Sequence, residues 1–230
     1  MRCVAIIPAR GGSKRIPEKN IRSFLGKPII AYSIKAAVDS GLFDEVMVST
    51  DSKRIAAVAA EYGAVVPFLR SAAASDDYAP LSNVLLEVIQ TYREQGKNWD
   101  CVACLLSTAP LIQPSDLITA YDRMQASGAD AVVSVARFSY PIQRALCLKD
   151  NRLTMASPEH LLTRSQDLEP MFHDAGQFYL IKTRSLLEEK TLFCANTAAH
   201  ELDEVRVQDI DTEADWKLAE LKYRFLAEHQ

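Results

Sequence analysis

A mostly parallel α/β sheet with helices on both faces is the fold class this sequence predicts, and three observations predict it. Runs of strand length such as Cys3–Ile7, Cys101–Leu106 and Ala131–Val135 are apolar throughout, as strands buried on both faces are. Segments of helical periodicity alternate with them. Glycine or proline stands at most of the helix boundaries.

The elements follow in order. Cys3–Ile7 is the first strand. Pro28–Asp39 reads as a helix, with Pro near its start and Gly41 past its end. Glu45–Ser49 is a strand, Lys53–Tyr62 a helix closed by Gly63, and Ala64–Pro67 a short strand. Pro80–Gln95 is helical and closed by Gly96; Cys101–Leu106 is a strand, Pro114–Ala126 a helix and Ala131–Val135 a strand. The alternation then breaks. Residues 137–171 are polar and proline-punctuated, with β-like pieces at Ala145–Leu148 and Arg152–Met155. That stretch reads equally as a projecting arm or as a surface insertion. Ala175–Lys182 resumes regular structure, and Thr212–His229 is a final long helix. No internal repeat or low-complexity tract appears.

The bulk properties bound the function. A chain of 230 residues predicts one domain, 1–230, large enough for a full core. Its 48% hydrophobic and 24% charged content is ordinary for a soluble globular protein, and a net charge of -4 argues against a general nucleic-acid binder. No apolar run approaches the ~20 residues of a membrane helix, and the N-terminus lacks the pattern of a signal peptide. The expected location is cytoplasmic, with no nucleic acid or membrane as partner. Five scattered cysteines fit reduced, buried thiols, and Cys101-Val102-Ala103-Cys104 reads as strand core rather than a redox or zinc motif.

The chemistry begins where the first strand ends. Pro8-Ala9-Arg10-Gly11-Gly12-Ser13-Lys14-Arg15-Ile16-Pro17-Glu18-Lys19-Asn20 holds adjacent glycines and four cations, Arg10, Lys14, Arg15 and Lys19. Glycines admit backbone N–H groups close to an anion, and cations neutralise it. The loop leaves the carboxyl end of a strand, where open α/β sheets bind ligands. Neither a Walker A pattern nor GxGxxG is present, so a polyphosphate site of another kind is expected. Asn20 offers an amide to a nucleobase edge.

Asp209-Ile210-Asp211 is the second element. Residues i and i+2 of a strand share a face, so two carboxylates project together. Mg²⁺ takes such carboxylates plus phosphate oxygens and water. The alternative is a solvated strand end with Asp211-Thr212 capping the last helix. Arg70, with Ser75 and Asp76, follows a short strand near the same sheet edge and suits phosphate, base or ribose. Leu105–Leu111 is another strand exit, and His173–Tyr179 is a polar turn entering a strand. The absence of HExxH and of a nucleophile elbow favours direct transfer between bound substrates.

These residues resemble the CMP-sugar (acylneuraminate) cytidylyltransferase family. The likeness runs through Pro8–Lys14 with Pro17, Lys19 and Asn20, then Phe24–Ile34, Val48–Asp51, Arg70 with Ser75 and Asp76, and Asp209–Thr212. It covers nearly the whole chain in order. It implies a Rossmann-like fold of the nucleotide-diphospho-sugar transferase type, and transfer of CMP from CTP to the anomeric hydroxyl of a nonulosonic acid. Thr163–Leu168 and His173–Tyr179 are most like the branch that takes pseudaminic acid. N-acetylneuraminate enzymes typically carry a glutamine where this chain has Leu106 and an arginine where it has Ser165. N-acetylneuraminate, legionaminate and 3-deoxy-octulosonate are the alternatives; a nucleotide-binding module without catalysis is the rival outside the class.

The resemblance also implies site roles. Ala9, Arg10, Gly11, Gly12, Ser13 and Lys19 hold the triphosphate, while Asn20, Arg70 and Ser75 hold the cytidine side. Asp209 and Asp211 bind Mg²⁺. Gln143, Arg164, His173, Asp174, Gln177 and Tyr179 face the sugar acid. Arg10, Lys19 and Asp211 are the catalytic candidates. Residues 139–171 correspond to the family's dimerisation arm, which implies a homodimer with Arg164 reaching the partner's site.

Overall fold

The structure is a computed structural model that describes residues 1–13, 15–71 and 80–229. Lys14, Ser75 and Asp76, all named above, lie outside the described residues.

Strand β1 (Cys3–Pro8) is followed by a small hairpin, β2 (Ser23–Phe24) and β3 (Lys27–Pro28), and then by helix α1 (Ile30–Ser40). Pro28 therefore pairs with Ser23 instead of opening the helix. The turn between them places Leu25 and Gly26 at φ 45° and 91°, and glycine admits the second value without strain. Next come β4 (Glu45–Ser49), α2 (Lys53–Glu61), α3 (Leu81–Glu94), β5 (Cys101–Leu105), α4 (Pro114–Ser127) and β6 (Ala131–Arg137). The expected strand at Ala64–Pro67 is only a single bridge between Val65 and Met47. A second hairpin, β7 (Leu146–Lys149) with β8 (Arg152–Met155), lies in the insertion. The chain then forms β9 (Phe172–Lys182), α5 (Thr183–Glu189), β10 (Thr197–Leu202) and α6 (Glu213–Glu228).

The main sheet has the order β10-β6-β9-β5-β1-β4. β1 runs parallel to β4 and β5, and β10 parallel to β6. β9 is antiparallel to both of its neighbours, β5 and β6. The sheet is thus mixed and mostly parallel, with one reversed strand at its centre.

Alternation along β1 sends Cys3, Ala5 and Ile7 into a core under α1, α2 and α4, and Val4 and Ile6 into a core under α3 and α5. Helices therefore cover both faces. Cys101 belongs to the first core and Cys104 to the second, which agrees with strand core. Four cysteines are buried; Cys147, on β7, is exposed, contrary to the expected burial. A third core packs Ile16, Phe24 and Ile29 against Ile210, Trp216 and Ala219. It joins the first loop to the segment before α6, and so determines what meets at the carboxyl edge of the sheet.

Candidate active site

Ile210 is fully buried in that third core, so its neighbours Asp209 and Asp211 are turned away from it. The segment forms no strand; the strand expected there is absent, while Asp211 still acts on the Asp209 carboxylate. Thr212 and Asp215 cap α6 reciprocally, and Asp215 also accepts the Asp211 N–H at 3.1 Å.

Lys19 crosses to this segment over 191 positions of sequence. Its Nζ donates to the Ile210 carbonyl at 2.6 Å and stands 3.6 Å from Asp211 Oδ1. Arg15 pairs with the same oxygen at 2.8 Å. The cationic loop and the acidic pair, recognised separately in the sequence, thus form one site. Burial pushes the Asp209 carboxyl up, the Asp211 charge adds to this, and Lys19 opposes it. Two like charges of which one resists ionisation suit a bound divalent cation. Mg²⁺ accepts one or two carboxylates and completes its sphere with phosphate and water, so the residues present fit it.

Several loop residues named for the nucleotide serve the protein itself. The Ala9 N–H donates to the Ser49 carbonyl at 2.9 Å, and the Gly11 N–H donates to Asp51 Oδ1 at 2.8 Å. Both N–H groups have acceptors within the protein, because buried or tightly turned backbone needs partners of its own. Gly11 has a packing reason as well: a Cβ there would stand 3.2 Å from Ser52 Cβ. Gly12 faces open space, and Ser13 is half-buried.

Asn20 is buried, its Nδ2 donating to the Arg10 carbonyl at 2.8 Å and its Oδ1 accepting from Ser107 Oγ at 2.9 Å. The amide braces the loop against the exit of β5. Asn20→Ala is therefore expected to cost the nucleotide-free protein about 1–3 kcal/mol, the usual penalty for stranding buried polar partners. Denaturant unfolding without nucleotide checks this; unchanged stability would return Asn20 to a direct contact with the base.

Arg70 is buried behind the end of β4, bonding the hydroxyl and carbonyl of Ser49. Burial lowers its pKa, Asp51 and Glu87 oppose this, and the guanidinium stays charged. Its positive charge is available to an anion through the field more than through contact.

The sugar candidates divide. β9 departs from its ladder with β6 between Val133 and Val135, where Gly176 takes φ 59°. Asp174 accepts the Gly176 N–H at 2.8 Å and the Tyr179 hydroxyl at 2.6 Å. Asp174 is exposed, whereas Tyr179 is buried and its hydroxyl is committed. His173 is half-buried beside the Phe138 ring, 4.9 Å between centroids. Gln177 is buried, and its Nε2 donates to the Arg206 carbonyl. Gln143 and Arg164 lie on the insertion and bond within it, to the Glu169 carbonyl and to Asp167. A cavity of about 790 Å³ opens beside the ends of β6 and β10, between Arg137, Ser165, Met171 and Asp203.

One polar cluster beside the site escaped the sequence reading. Arg206 forms a two-pronged pair with buried Asp116, and His200 Nε2 lies 3.5 Å from the same carboxylate. Lys222 Nζ donates to the carbonyls of Glu204 and Val207, at 3.1 and 2.7 Å. With Gln177, these side chains pin residues 204–207 immediately ahead of Asp209. The signal available was Asp116 at the third position of a helix opened by Pro114, which reads as a cap and nothing more.

Comparison with known proteins gives the family. The family model described as cytidylyltransferase matches residues 4–222. A pseudaminic acid cytidylyltransferase of Campylobacter jejuni is 43% identical over 225 residues, 97% of this chain and 97% of that protein. A CMP-N,N'-diacetyllegionaminic acid synthase of Legionella pneumophila is 35% identical, covering 96% of this chain and 95% of that protein. A CMP:2-keto-3-deoxy-manno-octonic acid synthetase complexed with CTP shares the fold, with a TM-score of 0.72 at 19% identity over 99% of this chain and 100% of that one.

Proposed function

The chain belongs to the cytidylyltransferase family, and from that premise we propose that it transfers CMP from CTP to the anomeric hydroxyl of pseudaminic acid, releasing pyrophosphate. The observation that carries the reading is the meeting of the cationic first loop with Asp209 and Asp211 through Lys19. The likeness to the Campylobacter jejuni enzyme, closer than that to the legionaminic acid synthase, favours pseudaminic acid among the nonulosonic acids.

The anomeric oxygen attacks the α-phosphorus of CTP in line. A bond from that oxygen to phosphorus forms, the bond from phosphorus to the bridging oxygen of pyrophosphate breaks, and the hydroxyl proton passes to solvent. Such transfer depends on positioning and charge neutralisation. Lys19, held by the Ile210 carbonyl, and Arg10 stabilise charge on the transferring and leaving phosphates. Asp51 fixes the loop through Gly11, and Asn20 fixes it to β5. Asp209 and Asp211 are the residues to hold Mg²⁺, which when bound neutralises phosphate charge and lowers the pKa of the attacking hydroxyl. Asp174 and His173 are the side chains left to face the sugar.

The insertion supports a homodimer. On the β7–β8 hairpin Leu148 stands opposite Leu153 and Leu146 opposite Met155. All three leucines are exposed. Such an apolar face calls for a cover, and we assign it to a second copy of the chain, which brings Arg164 towards the neighbour's site. Sedimentation equilibrium at twice the 25.6 kDa chain mass, returning to a single mass in Leu148→Glu, checks the assignment. Residues 1–230 act as one catalytic domain, placed in the cytoplasm beside its CTP supply. Among the described residues no helix is long and apolar enough to cross a membrane.

The test is pyrophosphate release from CTP and Mg²⁺ across a panel of nonulosonic acids. Release is expected with pseudaminic acid above all others. Preference for N-acetylneuraminate would overturn the sugar assignment, and no release with any sugar would favour a binding module.

A further inference from the structure

The two cations that reach Asp211 are held in different ways. Lys19 has 20% of its side chain exposed and is tied to a backbone carbonyl in the third core. Arg15 has 69% of its side chain exposed, and the contact that holds its guanidinium is Asp211 Oδ1 at 2.8 Å. One cation is fixed and the other can swing away at little cost.

A divalent cation bound to Asp211 would place its charge beside that guanidinium. We propose that Arg15 occupies the metal's place on Asp211 in the nucleotide-free protein and turns to the triphosphate when metal and CTP arrive together. The inference rests on reading Asp209 and Asp211 as the metal carboxylates. Its logic is charge balance. Among the described residues, Asp211 faces the cations Arg15 and Lys19, with Asp209 and Asp215 close by. A metal alone would leave an excess of positive charge, which raises its cost; the triphosphate restores the balance and gives Arg15 a new partner of the geometry a guanidinium prefers. Metal and nucleotide therefore bind cooperatively, and the coupling runs through a side chain.

Direct Mn²⁺ titration followed by electron paramagnetic resonance, with and without CTP, tests this. An exposed ion pair is a modest competitor, so Arg15→Ala should bind Mn²⁺ roughly two- to fivefold more tightly than wild type without nucleotide. The tightening that CTP adds should be smaller in the variant than in wild type. Arg15→Gln, which keeps length and loses charge, should behave alike. Equal or weaker Mn²⁺ binding in both variants without CTP would overturn the proposal. Asp211→Ala separates the two layers: if it binds Mn²⁺ as wild type does, the metal reading itself fails and this inference with it. If it loses Mn²⁺ while the Arg15 variants match wild type, only the inference fails.

Discussion

Asp211→Ala is expected to lower turnover about a thousandfold, equivalent to ~4 kcal/mol of transition-state stabilisation. Three things are lost at once: a carboxylate for the divalent ion, the anchor of Arg15 at 2.8 Å, and the charge that Lys19 faces. The effect should fall on catalysis and metal binding and spare the nucleotide itself. Removing a negative charge makes the loop more electropositive, so CTP measured with a chelator present should bind the variant at least as tightly as wild type. The local fold should survive, because the α6 cap depends on Thr212 and Asp215 and the core contact on Ile210. Titration calorimetry for CTP and pyrophosphate release for turnover separate these effects. Full activity in Asp211→Ala would remove the metal from this position.

Asp116→Ala is expected to destabilise the fold by about 3 kcal/mol, measured by urea unfolding. Deleting one partner of a buried ion pair strands the other charge, which typically costs ~3–5 kcal/mol. The lower end applies because Arg206 keeps 24% of its side chain in contact with water. The pH dependence has a definite sign. Burial pushes the Asp116 carboxyl up, but hydrogen bonds from His200 and Arg206 outweigh it and hold the pKa below its ordinary value. A lowered carboxylate pKa contributes stability above the unfolded value, near ~3.9, and loses it as the pH falls through the folded value. The gap between wild type and variant should therefore be widest near neutral pH and narrow in acid. A gap that grows on acidification would contradict the pairing. The same substitution frees residues 204–207 from α4, so Mn²⁺ affinity at Asp209 and Asp211 should weaken even though neither carboxylate is touched.

The legibility of this chain follows from what each signal encodes. β1, β4, β5 and β6 were legible because buried parallel strands are continuously apolar. The direction of β9 was not, because hydrophobic content carries no polarity of travel. β10 was missed since Thr197–Leu202 is an edge strand with only His200 and Leu202 buried, and α5 because seven residues are too few to show a period. At the site, the cationic loop and the acidic pair were each visible, but their meeting depends on Ile16, Phe24 and Ile210 sharing a core. Four residues expected at the ligand share one feature. Ala9, Gly11, Asn20 and Gln177 carry polar groups close to a ligand edge, and in the free protein those groups must bond to something. They bond to Ser49, Asp51, Arg10 with Ser107, and Arg206, and so brace the wall of the site.

The central claim is direct attack of the sugar's anomeric oxygen on the α-phosphorus, and isotope transfer tests it most directly. Pseudaminic acid equilibrated in ¹⁸O-water carries label at the anomeric hydroxyl. With CTP, Mg²⁺ and the enzyme, the label should appear in the oxygen bridging sugar and phosphorus, with unlabelled pyrophosphate. A CMP-sugar that has lost the label, or label recovered in pyrophosphate, would contradict the account.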